Sequence, residues 1–446
     1  MLKSGLLSLV LLSFFATSAR ADSFAPLDRP GPALSVAPAL LAGALQCQPA
    51  VQNATVAPVL LNPATGVTPD QNYSWNYERS LNALGIPWCA YTAPSHTLDD
   101  IQTSGEYLVY AIRTMYAMAH RRIDIVGHSQ GGMSMRWALR FWPDTRSMVD
   151  DVVGFSGSNH GTTVVGGTCA GGCPPAVWQQ GAGASFIAAL NSSAETFPGV
   201  SYTNIFTHTD EVVQPNSGPG ASAALHTGGG VITNVATQDV CPLDVYEHLS
   251  VGTVDPVAYA LAIDALTNQG PADPARVSSA VCSQLYQPGV DPTSVNAYEQ
   301  VLAGAPGLVS VSTPGFNLVG APEVKAEPPL RCYVFASCTA SSAAALAPPG
   351  SLGSSPISGA RSCSKPRLSF AIHQNNGRVR RVLVYVNRRR VLARRGRRIT
   401  RVSIARPAAA RYTLRVVDFT ARGLRVTTTR RYAGCSKTRP RVRVKR

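Results

Sequence analysis

Acidic residues all but vanish from the last fifth of this 446-residue chain. Residues 361–446 hold 27 of its 40 Lys and Arg but a single acid, Asp418, a local net of +26. The remainder carries 13 bases against 24 acids, a net of −11. Charge divided in this way argues for two separately folded parts, as does length, because one core rarely serves more than about 250–300 residues. Long apolar runs are scarce as well. Leu6 to Phe15, behind Lys3 and ahead of Ala19-Arg20-Ala21, falls well short of the roughly 20 residues a membrane helix needs, and reads as a cleaved secretory signal peptide over residues 1–21. No later stretch reads as long and apolar enough to span a bilayer, so the mature protein is expected to be exported and soluble. Also missing are the paired short Cys and His spacings of a zinc site; only Cys169 and Cys173 come near one, and no metal is expected. Ten cysteines, an even number, instead fit disulfides in an oxidising compartment.

What the chain does hold is Gly127-His128-Ser129-Gln130-Gly131, set after the apolar run Ile123 to Val126 and before Met133, Trp137, Ala138 and Phe141 at helical spacing. That is a strand, a sharp turn and a helix. A serine on such a turn holds its hydroxyl clear of the backbone, and only glycine tolerates the crowding two residues to either side. Upstream, a short strand from Pro58 to Leu61 runs into Asn62-Pro63-Ala64-Thr65-Gly66, which makes Thr65 either an oxyanion-binding residue or an ordinary turn threonine. A helix from about Tyr77 to Leu84, a strand near Ile86 to Tyr91, and a helix from about Leu98 to His120 follow. The last has Asp99 and Asp100 in its first turn and Leu108, Ile112 and Met115 as a buried stripe. Further strands are expected at Asp151 to Phe155, Val200 to Phe206 and Val231 to Val235, and strands alternating with helices imply a largely parallel sheet.

Thr209-Asp210-Glu211 follows one of these strands, and the loop after the next ends at Glu247-His248. In an open parallel sheet the ligand crevice lies at the carboxyl ends of the strands, so Ser129, Asp210 and His248 share one edge. Their order along the chain, Ser, Asp, His, is that of α/β hydrolases. His160, His208 and His226 are rival bases, and Asp244 and Glu247 rival orienting acids; the latter two lie so close to His248 in sequence that they suit its loop surface better.

Residues 47 to about 325 resemble the secreted lipase family of the Candida antarctica lipase B type. The resemblance is carried by Pro63-Ala64-Thr65-Gly66, Ser129-Gln130-Gly131-Gly132, Val177-Trp178-Gln179-Gln180 and Thr209-Asp210-Glu211-Val212-Val213-Gln214-Pro215. It implies an α/β-hydrolase fold, Ser129 as nucleophile, His248 as general base, Asp210 as its orienting acid, and an oxyanion hole from Thr65 and Gln130. It also implies disulfides Cys47–Cys89 and Cys241–Cys282, and a substrate pocket including Gln180 and the position before the nucleophile. There the family has a tryptophan that floors the alcohol side; here it is His128. Such a site needs no cofactor and takes an ester, expected to be a lipid. An acyltransferase or polyester depolymerase would use the same triad, and a catalytically silent surface-binding protein is the non-enzymatic alternative.

Outside the resemblance, Cys169–Cys173 is expected to close a small ring in the Gly-rich segment 156–182, and Cys332–Cys338 another. A catalytic domain over 22–340 leads into an Ala/Ser/Pro/Gly-rich linker at 341–360. Beyond it, alternating Val382, Val384 and Val386, Val402 and Ile404, and Tyr412, Leu414 and Val416 predict a small antiparallel, sandwich-like β domain over 361–446, stapled by Cys363–Cys435. Its charge suits an anionic surface, cell wall or lipid, or simply a solvated face; export weighs against nucleic acid.

Overall fold

The apolar runs are too short for amphipathic helices and too uniformly apolar for strands with one wet face, and they become the centre of a sheet covered on both sides. The computed structural model describes residues 23–165, 169, 171–293, 295, 323–338, 367–372, 378–387, 389–405, 411–420 and 425–433. The expected signal peptide at 1–21, the linker at 341–360 and the Cys363–Cys435 pairing lie outside the described residues. Strands β1 (Leu45–Cys47), β2 (Val59–Asn62), β3 (Trp88–Tyr91), β4 (Ile123–His128), β5 (Val149–Phe155), β6 (Ser201–Phe206) and β7 (Val231–Ala236) form one sheet in the order β1-β3-β2-β4-β5-β6-β7. Only β1 runs antiparallel to its neighbour. Every residue of β2 and β4 is buried.

Alternate residues of these strands feed two apolar layers. Leu60, Ile123, Ile125, Val152 and Tyr202 pack on one face with the helix Ile101–Ala119, whose Leu108, Ile112 and Met115 are fully buried, and with the helix Gln130–Phe141. Val59, Leu61, Val126, Val153, Phe155 and Ile205 pack on the other with the helices Tyr77–Leu84 and Pro256–Thr267. Asp99 and Asp100, expected inside the first turn, precede the helix instead, and Asp100 is its cap, accepting from Gln102 N at 3.0 Å. A further correction concerns His248–Thr267, which by length and composition is apolar enough to cross a membrane although no stretch past the leader was expected to be. Its most apolar window is 78% buried, and the chain breaks there into two helices whose Val251, Val257, Leu261, Ala262 and Ala265 belong to the second layer. A core helix is apolar because protein, not lipid, surrounds it.

Contacts divide the chain into units 1–346 and 347–446. In the second, β9 (Val379–Val386), β10 (Arg389–Arg395), β12 (Arg411–Thr420) and β13 (Arg425–Ala433) pair antiparallel in the order β10-β9-β12-β13, while β8 (Arg367–Ala371) pairs with β11 (Arg401–Ala405). Leu368, Val382, Val384, Val402, Ile404, Leu414 and Val416 from both sheets share one apolar cluster, the packing of a small sandwich. Asp418 faces the same side as Val416, and burial pushes its carboxyl up to about 6. Four disulfides, Cys47–Cys89, Cys169–Cys173, Cys241–Cys282 and Cys332–Cys338, are formed among the described residues, as expected.

Candidate active site

Register fixes where the chemistry emerges. Asn62 of β2 pairs with Gly127 of β4, and Gly127 with Gly154 of β5, so Thr65, Ser129 and, past β6, Asp210 leave the same edge. Ser129 adopts φ 55°, ψ −120°, a conformation that L residues rarely hold, and its N–H donates to Phe155 O at 2.8 Å. The glycines leave it room. A Cβ on Gly127 would stand 2.3 Å from Gly131 O, and one on Gly131 2.1 Å from Asn62 O.

His248 is fully buried. Its Nε2 lies 3.0 Å from Ser129 Oγ and its Nδ1 2.9 Å from Asp210 Oδ2. Asp210 Oδ1 accepts from Val212 N at 2.9 Å and Val213 N at 2.7 Å, leaving Oδ2 for the imidazole. Burial alone would raise the Asp210 carboxyl, but the charge and hydrogen bond of His248, with the Val213 N–H, hold it below the usual carboxylate range. Burial likewise pushes His248 down; Asp210's charge and hydrogen bond, then Glu211 and Glu247, outweigh it and leave the imidazole above its ordinary value of 6.5. Where the sequence suggested a loop, His248 opens a short helix, His248–Val251, capped by Glu247, which accepts from Leu249 N at 2.7 Å and Ser250 N at 3.1 Å.

Thr65 is buried beside the elbow. Its hydroxyl donates to Gln130 Oε1 at 2.9 Å and accepts from Gln180 Nε2 at 3.1 Å. Two residues without any role assigned from sequence hold its loop. Asn72 Oδ1 accepts from Ala64 N at 2.9 Å, and Thr97 Oγ1 accepts from Gly66 N at 2.9 Å and donates to Ala64 O at 2.7 Å. A narrow cleft opens over Ser129 with Thr65, Ser158 and Gln180 as its polar rim and five valines, Val164, Val165, Val177, Val212 and Val213, as its wall. Ser158 Oγ donates to Gln180 Oε1 at 3.1 Å. The valine pair was visible in the Thr209–Pro215 motif; Ser158 carried no such signal.

Ser129, His248, Asp210, Thr65, Gln130 and Gln180 thus come together. His128 stands apart: its fully buried ring is not among the cleft's lining residues and lies behind His248. The rivals are engaged elsewhere. His160 Nε2 lies 2.6 Å from Glu195 Oε1, with the His226 ring 5.7 Å from its own, and His208 is exposed. Asp244 faces Asp255 and Thr237. A buried serine in line with an imidazole and a carboxylate, beside a hydroxyl and an elbow amide, is an arrangement for attack on an acyl carbon.

A family model described as lipase (class 2) matches residues 107–253. Lipase B of Pseudozyma antarctica is 32% identical over 308 residues, 68% of this chain and 86% of that protein. The crystal structure of Aspergillus fumigatus lipase B is 30% identical and superposes with a TM-score of 0.62, covering 71% of this chain and 76% of that one. The layered, mostly parallel sheet is accordingly that of an α/β hydrolase.

The raised imidazole generates a prediction. Only neutral His248 can take a proton from Ser129, so activity is lost as pH falls through its folded-state pKa, which lies above 6.5. The acid limb of kcat/KM against pH on a soluble ester is expected to centre above 6.5; a limb centred clearly below 6.5 would contradict the coupling to Asp210.

Proposed function

The chain belongs to the lipase B family, a carboxylic ester hydrolase, and within it we propose a secreted enzyme that cleaves lipid esters through an acyl-enzyme on Ser129. The observation that carries this reading is the hydrogen-bonded line Ser129–His248–Asp210, with 3.0 and 2.9 Å links. Ser129 Oγ attacks the ester carbonyl carbon as its proton passes to His248 Nε2, and the oxygen that gains charge is met by Thr65 and the Gln130 N–H. His248 then gives that proton to the departing alcohol. Water, activated by the same imidazole, attacks the acyl carbon and frees acid and serine. Asp210 stays ionised, keeping Nδ1 protonated and offsetting the imidazolium charge. Losing one oxyanion donor would slow the reaction about 100- to 1000-fold. The five-valine wall suits an alkyl acyl chain. Export is supported by the Leu6–Phe15 leader and by four disulfides among the described residues.

The second unit suits attachment to an anionic surface. On the face of β9 and β12 opposite their apolar cluster, the Arg415 guanidinium lies 4.3 Å over the Tyr385 ring and that of Arg381 5.2 Å over Phe419, with Leu383 and Val417 buried between them. The one acid of residues 361–446 is buried on the other side.

Ser129→Ala is expected to abolish hydrolysis of p-nitrophenyl esters in a folded protein, and retained activity would mean another nucleophile. Deletion after Gly359 is expected to leave hydrolysis of soluble esters nearly intact while lowering retention on anionic vesicles or cell-wall polymer; undiminished retention would count against attachment.

A further inference from the structure

We propose that His128 is a positioning residue that ties the backbone of the general base to the oxyanion loop, an inference that rests on the triad assignment above. Its protonation pattern follows from its neighbours. Ala64 N–H donates to Asn72 at 2.9 Å, and since an N–H can only donate, the receiving atom is the amide oxygen Oδ1. The amide nitrogen of Asn72 therefore faces His128 Nδ1, at 3.4 Å. Nδ1 must be the bare, accepting nitrogen, and the ring proton sits on Nε2, which donates to His248 O at 2.9 Å. One chain of hydrogen bonds thus runs from Ala64, beside Thr65, through Asn72 and His128 to the main chain of His248.

The space for this ring is reserved. Gly252, at the end of the helix His248–Val251, lies so close that a Cβ there would stand 2.3 Å from Cδ2 and 2.7 Å from Nε2 of His128. Asn72 is held in turn: Asn76 Nδ2 donates to its carbonyl at 2.9 Å, and its short helix Pro69–Tyr73 is capped by Thr68 and Gln71. The His128 and His248 rings are 5.5 Å apart, so a second cation here would oppose protonation of His248 during the reaction. Burial first, and the nearby His248 charge second, hold His128 down to about 3, so it stays neutral while His248 cycles. A neutral donor fixed at both ends orients the base without competing for its proton. The ring occupies the rear of the triad and not the alcohol side of the pocket, so its loss is expected to affect every ester alike.

The test compares wild type, His128→Leu, His128→Gln and Gly252→Ala in the full chain, with esters of one short acid bearing a primary or a bulky secondary alcohol. Thermal melts establish that each variant is folded at the assay temperature. His128→Leu is expected to lower kcat about 100-fold, the scale of a misplaced catalytic group, for both alcohols with KM little changed. His128→Gln, whose amide can still donate to the His248 carbonyl, should recover most of the loss. Gly252→Ala, which crowds the ring, should lower kcat in the same way, and it carries the test if His128→Leu does not fold. Unchanged kcat in His128→Leu, or a change confined to the preference between alcohols, would overturn the proposal, as would failure of His128→Gln to recover activity while folded. Activity surviving in Ser129→Ala would instead remove the triad reading beneath it, whereas loss in Ser129→Ala with normal His128→Leu would remove this inference alone.

Discussion

The hydrogen bond between His248 Nδ1 and Asp210 Oδ2, 2.9 Å long and closed to water, is the constraint on which the site depends. By placing a proton on Nδ1 it turns the bare Nε2 toward Ser129 and raises the imidazole's basicity against the pull of burial. A buried carboxylate has a desolvation cost, and two backbone N–H groups from Val212 and Val213 offset it. The same turn sends both valine side chains to the cleft wall, so the segment that holds the acid also shapes the apolar side of the site. The sheet supplies the rest of the geometry: five parallel pairings keep the carboxyl ends of β2, β4 and β6 level, and the crowding of Gly127 and Gly131 against neighbouring carbonyls leaves one way for the serine to stand.

Much of this was legible in the sequence because the responsible forces are local. Strands covered on both faces are mostly apolar, so β2 and the apolar stretches of β4 and β5 announced themselves; a serine between two glycines after such a strand marks a strained turn; an aspartate and a histidine after later strands fall on the same edge. Boundaries shifted by up to three residues where caps decide them, as at Asp100, where the helix expected from about Leu98 begins at Ile101. Glu247, weighed as a rival orienting acid, proved to cap the helix that His248 begins.

Other features depend on which loops meet and were not readable. Asn72 and Thr97 hold the oxyanion loop from separate segments, and no local spacing brings them to Ala64 and Gly66. The direction of His128 depends on the pleat at the end of β4 and on the space at Gly252, far along the chain, which turn the ring behind the triad. His248–Thr267 is apolar because most of it is buried in the second layer against the sheet, a pattern that composition alone does not separate from a membrane span. The charge division at residue 361 was plain from the start, yet only the register of β9 and β12 puts Arg381, Tyr385, Arg415 and Phe419 on one face.

The central claim is that the Ser129 hydroxyl is made nucleophilic by this buried line of groups. A fluorophosphonate ester tests it most directly, by reacting with an activated serine and leaving a stable adduct that peptide mass mapping locates. One equivalent is expected on the peptide containing Ser129 in the folded protein and none after unfolding in denaturant. No adduct on folded protein, or an adduct on a different residue, would contradict the account.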